Sequence, residues 1–164
     1  MTKPTGPTTP ATPAPAGRPD PSARPRRVLV VCKGNICRSP AAAALLAARS
    51  PDRPEVRSAA TTSWHLGEPA DPLMVQTMAR IGYDLSGHRA ALLTAELVDW
   101  ADELIAVDTE TTRAVRRLAG PARTVHQLSD QGIFDPWGGP PDDFARTVRE
   151  IEAALGPHHR PAPA

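Results

Sequence analysis

The chain alternates short, fully apolar runs with longer segments whose apolar residues recur at helical spacing. Val28-Leu29-Val30-Val31 is continuous, apolar and β-branched, the pattern of a strand covered on both faces. After a polar loop, the alanine- and leucine-rich stretch from Pro40 to Arg49 predicts a helix with proline in its first turn. Val56 to Ala59 reads as a second strand. Asp71 to Ile81 reads as a helix with Asp71 as N-cap, Pro72 at its first position and Gly82 just past its end. Leu73, Met78 and Ile81 are its expected buried residues. A short helix over Thr94 to Ala101, a third strand over Leu104 to Val107 and a helix capped by Asp108 and running to Ala119, stopped by Gly120, follow. Thr124 to Leu128 is a fourth strand. In the last helix, Pro141 to Leu155, the residues Phe144, Val148, Ile151 and Leu155 form one stripe, and Gly156 closes it. Strands separated by helices predict an α/β fold: a three-layer arrangement in which helices cover both faces of a central four-stranded parallel sheet.

The two ends depart from this pattern. Residues 1–27 hold 8 of the 20 prolines and five threonines, with no Val, Ile, Leu, Phe, Tyr or Trp. Such a segment cannot bury enough apolar surface to offset the entropy of ordering it. It is expected to be a disordered tail of net charge +4, which leaves −3 on the rest of the chain. It has no apolar stretch after Lys3 and so does not read as a signal peptide. Residues 157–164 are expected to be a flexible end. The domain is then 28–156, enough for one hydrophobic core. No apolar run reaches the roughly 18 residues of a membrane span. A net charge of +1 over 164 residues gives no support for nucleic-acid binding. Two cysteines are too few for a disulfide scaffold.

In an open parallel sheet, ligands sit beyond the C-terminal ends of the strands, so the loop after the first strand is where chemistry is expected. It reads Cys32-Lys33-Gly34-Asn35-Ile36-Cys37-Arg38-Ser39-Pro40. Successive backbone N–H groups there, with a helix N-terminus behind them, can form a concavity for an anion. Arg38 adds a planar, bidentate grip on phosphate oxygens. The same positive surroundings favour the thiolate of Cys32 as a nucleophile. Gly34 permits close backbone approach and Asn35 tolerates a left-handed conformation. The loop lacks the glycine–lysine–serine/threonine ending of a Walker motif, and Cys-x4-Cys with no second pair is not a zinc site.

This loop resembles, position by position, the phosphate-binding loop of the low-molecular-weight protein tyrosine phosphatases. The resemblance continues through Ser58-Ala59-Ala60-Thr61 (Ala60 standing where the family has glycine), Trp64 with Gly67, Ser86 to Ala90, Ala101-Asp102 and Asp135-Pro136-Trp137-Gly138. It spans about 28–156 and implies the fold of that family. It also implies Cys32 as the nucleophile that becomes a cysteinyl phosphate, and Arg38 with the loop residues Lys33, Gly34, Asn35, Ile36, Cys37 and Ser39 as the phosphate cradle. Ser39 would hydrogen-bond the Cys32 sulfur and His88 would support Asn35. Asp135 would act as general acid and then general base, aimed by Pro136. Trp64 and Trp137 would wall the substrate ring. Cys37 could pair reversibly with Cys32 as a redox switch. His65, His126, His158 and His159 are expected to be structural or solvated. Lys33 takes a place where a neutral residue is usual, and either favours acidic substrates or faces water.

The expected protein is thus a monomeric, cytoplasmic phosphatase acting on phosphotyrosine proteins or small phosphate esters. It needs no metal or cofactor, because Arg38 and the amides supply the positive field. Three other readings stay open: an arsenate reductase using a small external thiol, a small-metabolite phosphatase, and a phosphotyrosine-binding module without turnover. A cysteine relay for arsenate would need further cysteines outside the loop, and the chain has none.

Overall fold

The computed structural model describes residues 23–156, and the expectations for 1–22 and 157–164 lie outside the described residues. Nine elements follow in chain order: β1 (Arg27–Cys32), α1 (Arg38–Arg49), β2 (Glu55–Ala60), α2 (Pro72–Arg80), α3 (Ala95–Trp100), β3 (Glu103–Ala106), α4 (Thr109–Ala119), β4 (Val125–Gln127) and α5 (Pro141–Leu155). All strand pairs are parallel, in the order β2-β1-β3-β4. The expected three-layer α/β architecture is therefore the observed one. β1 lies inside the sheet and divides its side chains between two cores, as strand periodicity requires. Val28, Val30 and Cys32 face α1, α2 and α5; Leu29 and Val31 face α3 and α4. All four of Val28 to Val31 are fully buried.

The termini of the elements follow their sequence signals. Asp71 and Thr94 cap α2 and α3 by accepting the N–H of Leu73 and Leu97. Asp108 and Thr111 form a reciprocal capping box at the start of α4. Gly120 and Gly156 close α4 and α5 with positive φ. The sequence reading of α2 needs correction. Met74 and Met78, one turn apart, are its buried residues. Leu73 is half-buried, and Ile81, off the helix at φ −105°, is 44% exposed.

The start of the domain also moves. Arg27, placed in the tail by its composition, is the first residue of β1. Arg24 makes a two-pronged pair with Asp102, both bonds 2.7 Å, and Arg26 bridges Asp52 and Glu103. Ion pairs rather than apolar burial fasten this stretch, so a hydrophobicity argument misses it. It sits at the N-terminal end of the sheet, away from the cysteine loop. None of the described helices is long and apolar enough to cross a membrane.

Candidate active site

The loop from Cys32 to the first turn of α1 curls around one hub, Asn35. Its φ is +55°, a left-handed conformation that few residues other than glycine and asparagine adopt readily. Asn35 is completely buried, and its polar groups are all occupied. Its N–H donates to Cys32 Sγ at 3.2 Å. Its Nδ2 donates to Ser39 Oγ (2.7 Å) and Ser58 Oγ (2.9 Å). Its Oδ1 accepts from the Ala91 N–H (2.9 Å), and its carbonyl accepts from His88 Nε2 (2.6 Å). An aspartate could not make the two Nδ2 donations, so the amide itself is required.

Ser39 Oγ accepts from Asn35 Nδ2 and lies 3.0 Å from Cys32 Sγ, where either of the two can donate. When the sulfur is a thiolate it accepts from both the Ser39 hydroxyl and the Asn35 N–H, and both stabilise its charge. His88 is bound as a donor to a carbonyl, so it carries hydrogen on Nε2. Burial lowers its pKa, the Asn35 carbonyl works the other way, and neighbouring Arg89 lowers it further. Outside the regular elements, the N–H groups of Gly34, Ile36 and Cys37 meet no backbone acceptor among the described residues. Such a run of amides at a helix N-terminus is suited to an anion.

Arg38 is 4% exposed, although it is a permanent cation. Burial works against its charge, but the Cys32 sulfur and the Asp108 and Asp135 carboxylates outweigh it and raise its pKa. Nη1 donates to Asp108 Oδ2 (2.6 Å) and the Ile133 carbonyl (3.2 Å), while Nη2 reaches Asp135 Oδ2 at 3.4 Å. Of its five donors, the Nε hydrogen and one Nη2 hydrogen remain for a tetrahedral oxyanion. Asp108 was expected only as the cap of α4; it does that and also orients the arginine. Its own burial opposes ionisation, but the Thr111 amide and Arg38 hold its pKa below the ordinary value.

Cys32, Arg38, Asp135, Trp64 and Trp137, together with the loop residues Lys33 to Cys37, line one narrow cleft of ≈ 70 Å³. Asp135 comes from the segment after β4. Its position is set by the residue before it, since the Phe134 N–H donates to Glu150 (2.8 Å) and the Phe134 carbonyl accepts from Thr147 Oγ1 (2.9 Å). Trp64 and Trp137 are 67% and 61% exposed, so their rings stand up as rims rather than packing into a core. His65 also lines the cleft, contrary to its expected structural or solvated role. It bonds Glu68 at 2.8 Å, tilts against Trp137 at 5.9 Å, and lies where a Cβ on Gly34 would meet it at 3.0 Å. A larger residue at position 34 would have to push this ring back. Ser58, His65 and Asp108 were missed as site residues because each acts through a contact far from the loop in sequence.

The family model for low molecular weight phosphotyrosine protein phosphatase matches residues 27–160. A low molecular weight protein-tyrosine-phosphatase of Streptomyces coelicolor is 36% identical over 145 residues, covering 78% of this chain and 88% of that protein. A protein-arginine-phosphatase of Geobacillus stearothermophilus is 31% identical over 138 residues, covering 80% and 92%. Among solved structures, Vibrio vulnificus Wzb in complex with benzylphosphonate superposes with a TM-score of 0.74 at 26% identity, covering 80% of this chain and 94% of that one.

Proposed function

The chain belongs to the low molecular weight phosphotyrosine protein phosphatase family and is a phosphatase, and from that premise we propose that it hydrolyses phosphotyrosine monoesters through a cysteinyl phosphate on Cys32. The observation that carries this reading is the convergence of Cys32, Arg38 and Asp135 on one cleft, with the Asn35 N–H and the Ser39 hydroxyl beside the Cys32 sulfur.

In the first step, the Cys32 sulfur attacks phosphorus and the bond to the tyrosyl oxygen breaks. Arg38 and the loop amides bind the three equatorial oxygens, which share the charge of the transition state. Asp135 gives its proton to the leaving oxygen. In the second step, Asp135 takes a proton from water, the water oxygen attacks phosphorus, and the sulfur leaves as a thiolate held by Ser39 and the Asn35 amide. One carboxyl group serves both steps because they are reverse in sense. Burial raises the Cys37 pKa, so Cys37 remains a thiol at neutral pH and does not compete as nucleophile. Once Cys32 is oxidised to a sulfenic acid, Cys37 can condense with it to a disulfide that reductant reverses.

The exposed Trp64 and Trp137 favour an aromatic ester, as does the benzylphosphonate held by the Vibrio neighbour. The arginine phosphatase among the relatives makes phosphoarginine the natural control. The test measures phosphate release from p-nitrophenyl phosphate, a phosphotyrosyl peptide and a phosphoarginyl peptide, by wild type and Cys32→Ser. Wild type should hydrolyse the first two, and Cys32→Ser neither. Equal rates in both proteins would overturn the mechanism. Faster release from phosphoarginine would overturn the substrate class, and arsenate-dependent thiol oxidation would reinstate the reductase.

A further inference from the structure

Lys33 follows the cysteine at the top of β1, which lies between β2 and β3. Its carbonyl is pinned by the Thr62 N–H (3.1 Å) and Thr62 Oγ1 (2.8 Å), so its backbone is fixed while its long side chain is not. The ammonium stands 5.0 Å from the centre of the Trp64 ring and 3.3 Å from Glu110 Oε1. Trp64 comes from the segment after β2, and Glu110 from the first turn of α4, after β3. One cation therefore bridges two rims of the cleft.

The two partners of that cation differ in kind. The Trp64 ring holds it by its face, an interaction that leaves the ammonium hydrogens available for an acceptor. Glu110 fills the acceptor place with a carboxylate, but its side chain is 72% exposed, against 35% for Lys33. Exposed pairs of this kind are weak and readily exchanged. Among the residues that line the cleft, the permanent cations are Lys33 and the buried Arg38, and Arg38 is taken by the phosphoryl group. An acidic residue on a bound peptide is therefore drawn to Lys33.

We propose that Lys33 is a specificity-determining residue, whose ammonium takes the carboxylate of an aspartate or glutamate beside the phosphotyrosine in place of Glu110. This inference rests on the protein-tyrosine reading above. It makes Glu110 a placeholder that marks where the substrate carboxylate sits.

The experiment compares kcat/KM for two phosphotyrosyl peptides that differ only in carrying aspartates or asparagines on either side of the phosphotyrosine. Wild type should prefer the acidic peptide by about threefold, the scale of one exposed charge pair. Glu110→Gln should widen that ratio, Lys33→Arg should keep it, and Lys33→Met should bring it to about one. The preference should shrink in about 1 M salt, where the screening length falls to a few ångströms. The ratio is internal to each protein, so a general loss of activity in a loop variant does not disturb it. Turnover of both peptides at equal rates by wild type, or the same ratio in wild type and Lys33→Met, would overturn the assignment of Lys33 alone. Turnover of p-nitrophenyl phosphate without either peptide would overturn the protein-tyrosine reading, and this inference with it.

Discussion

The two sides of the cleft are built on opposite principles. The cysteine loop is buried and cross-braced: Asn35 alone makes five hydrogen bonds, to the loop itself, to Ser58 of β2 and to the segment from His88 to Ala91. The facing side, with Asp135, Trp64 and Trp137, is exposed and held by few contacts. The Asp135 carboxylate is 49% exposed and reaches Arg38 only at 3.4 Å. The difference matches the chemistry. Every substrate presents the same phosphoryl group to the loop, and a fixed oxyanion geometry gains most from rigidity. The leaving group varies, and an exposed carboxyl group between open aromatic rims leaves room for that variation.

The exposed side is the first place to break that comparison. Asp135→Asn should lower kcat/KM by about 10²-fold for phenyl phosphate and phosphotyrosine, whose leaving oxygens need a proton, and far less for p-nitrophenyl phosphate. Its melting temperature should stay close to wild type, because a half-exposed carboxylate contributes little to folding. A uniform loss across leaving groups would show that Asp135 does not act as the acid. Asn35→Ala attacks the rigid side. It leaves the Ala91 N–H and two serine hydroxyls short of partners and places alanine at φ +55°. Each is a recognised cost, and together they should remove about 3 kcal/mol of stability, or roughly 10 °C in Tm. Activity should fall by the same factor for good and poor leaving groups. A leaving-group dependence in Asn35→Ala would mean that the two sides are coupled, and the division between them would fail.

How far each side could be read from sequence follows from the same contrast. The loop was legible because its residues are contiguous: cysteine, glycine, asparagine, arginine and serine fall within eight residues, followed at once by a helix. The central strand of the parallel sheet was legible because β1 is apolar from Val28 onward, and α5 because its stripe has helical spacing. What supports the loop was not. Asp108 looks like a cap, which it is, and nothing local shows that its other oxygen faces Arg38 seventy residues back. Ser58 stands in a recognisable motif whose contact with Asn35 is not local, and His65 carries no pattern of its own. Ile81 misled because it continues an apolar spacing one residue beyond the point where the helix ends. The start of the domain misled because Arg24 and Arg26 are anchored by charge, whereas the tail was judged by its lack of apolar residues.

The smallest expected effect tests a titratable joint of the Asn35 network, the His88 bond to the Asn35 carbonyl. Burial depresses the His88 pKa in the folded protein below the ordinary histidine value of about 6.5. Between the depressed value and the ordinary one, the unfolded chain binds more protons than the folded chain, so stability rises with pH across that window. Read downward, the contribution of neutral His88 is complete above about pH 7.5, declines as the pH passes through 6.5, and is lost below the folded value, where both states are protonated. Denaturant midpoints from pH 8 to pH 5 should therefore fall more steeply for wild type than for His88→Gln, which can still donate to the carbonyl but does not titrate. Parallel curves would show that His88 is not held neutral. A steeper curve in the variant would place the acid-sensitive group elsewhere and leave the loop rigid across the whole range.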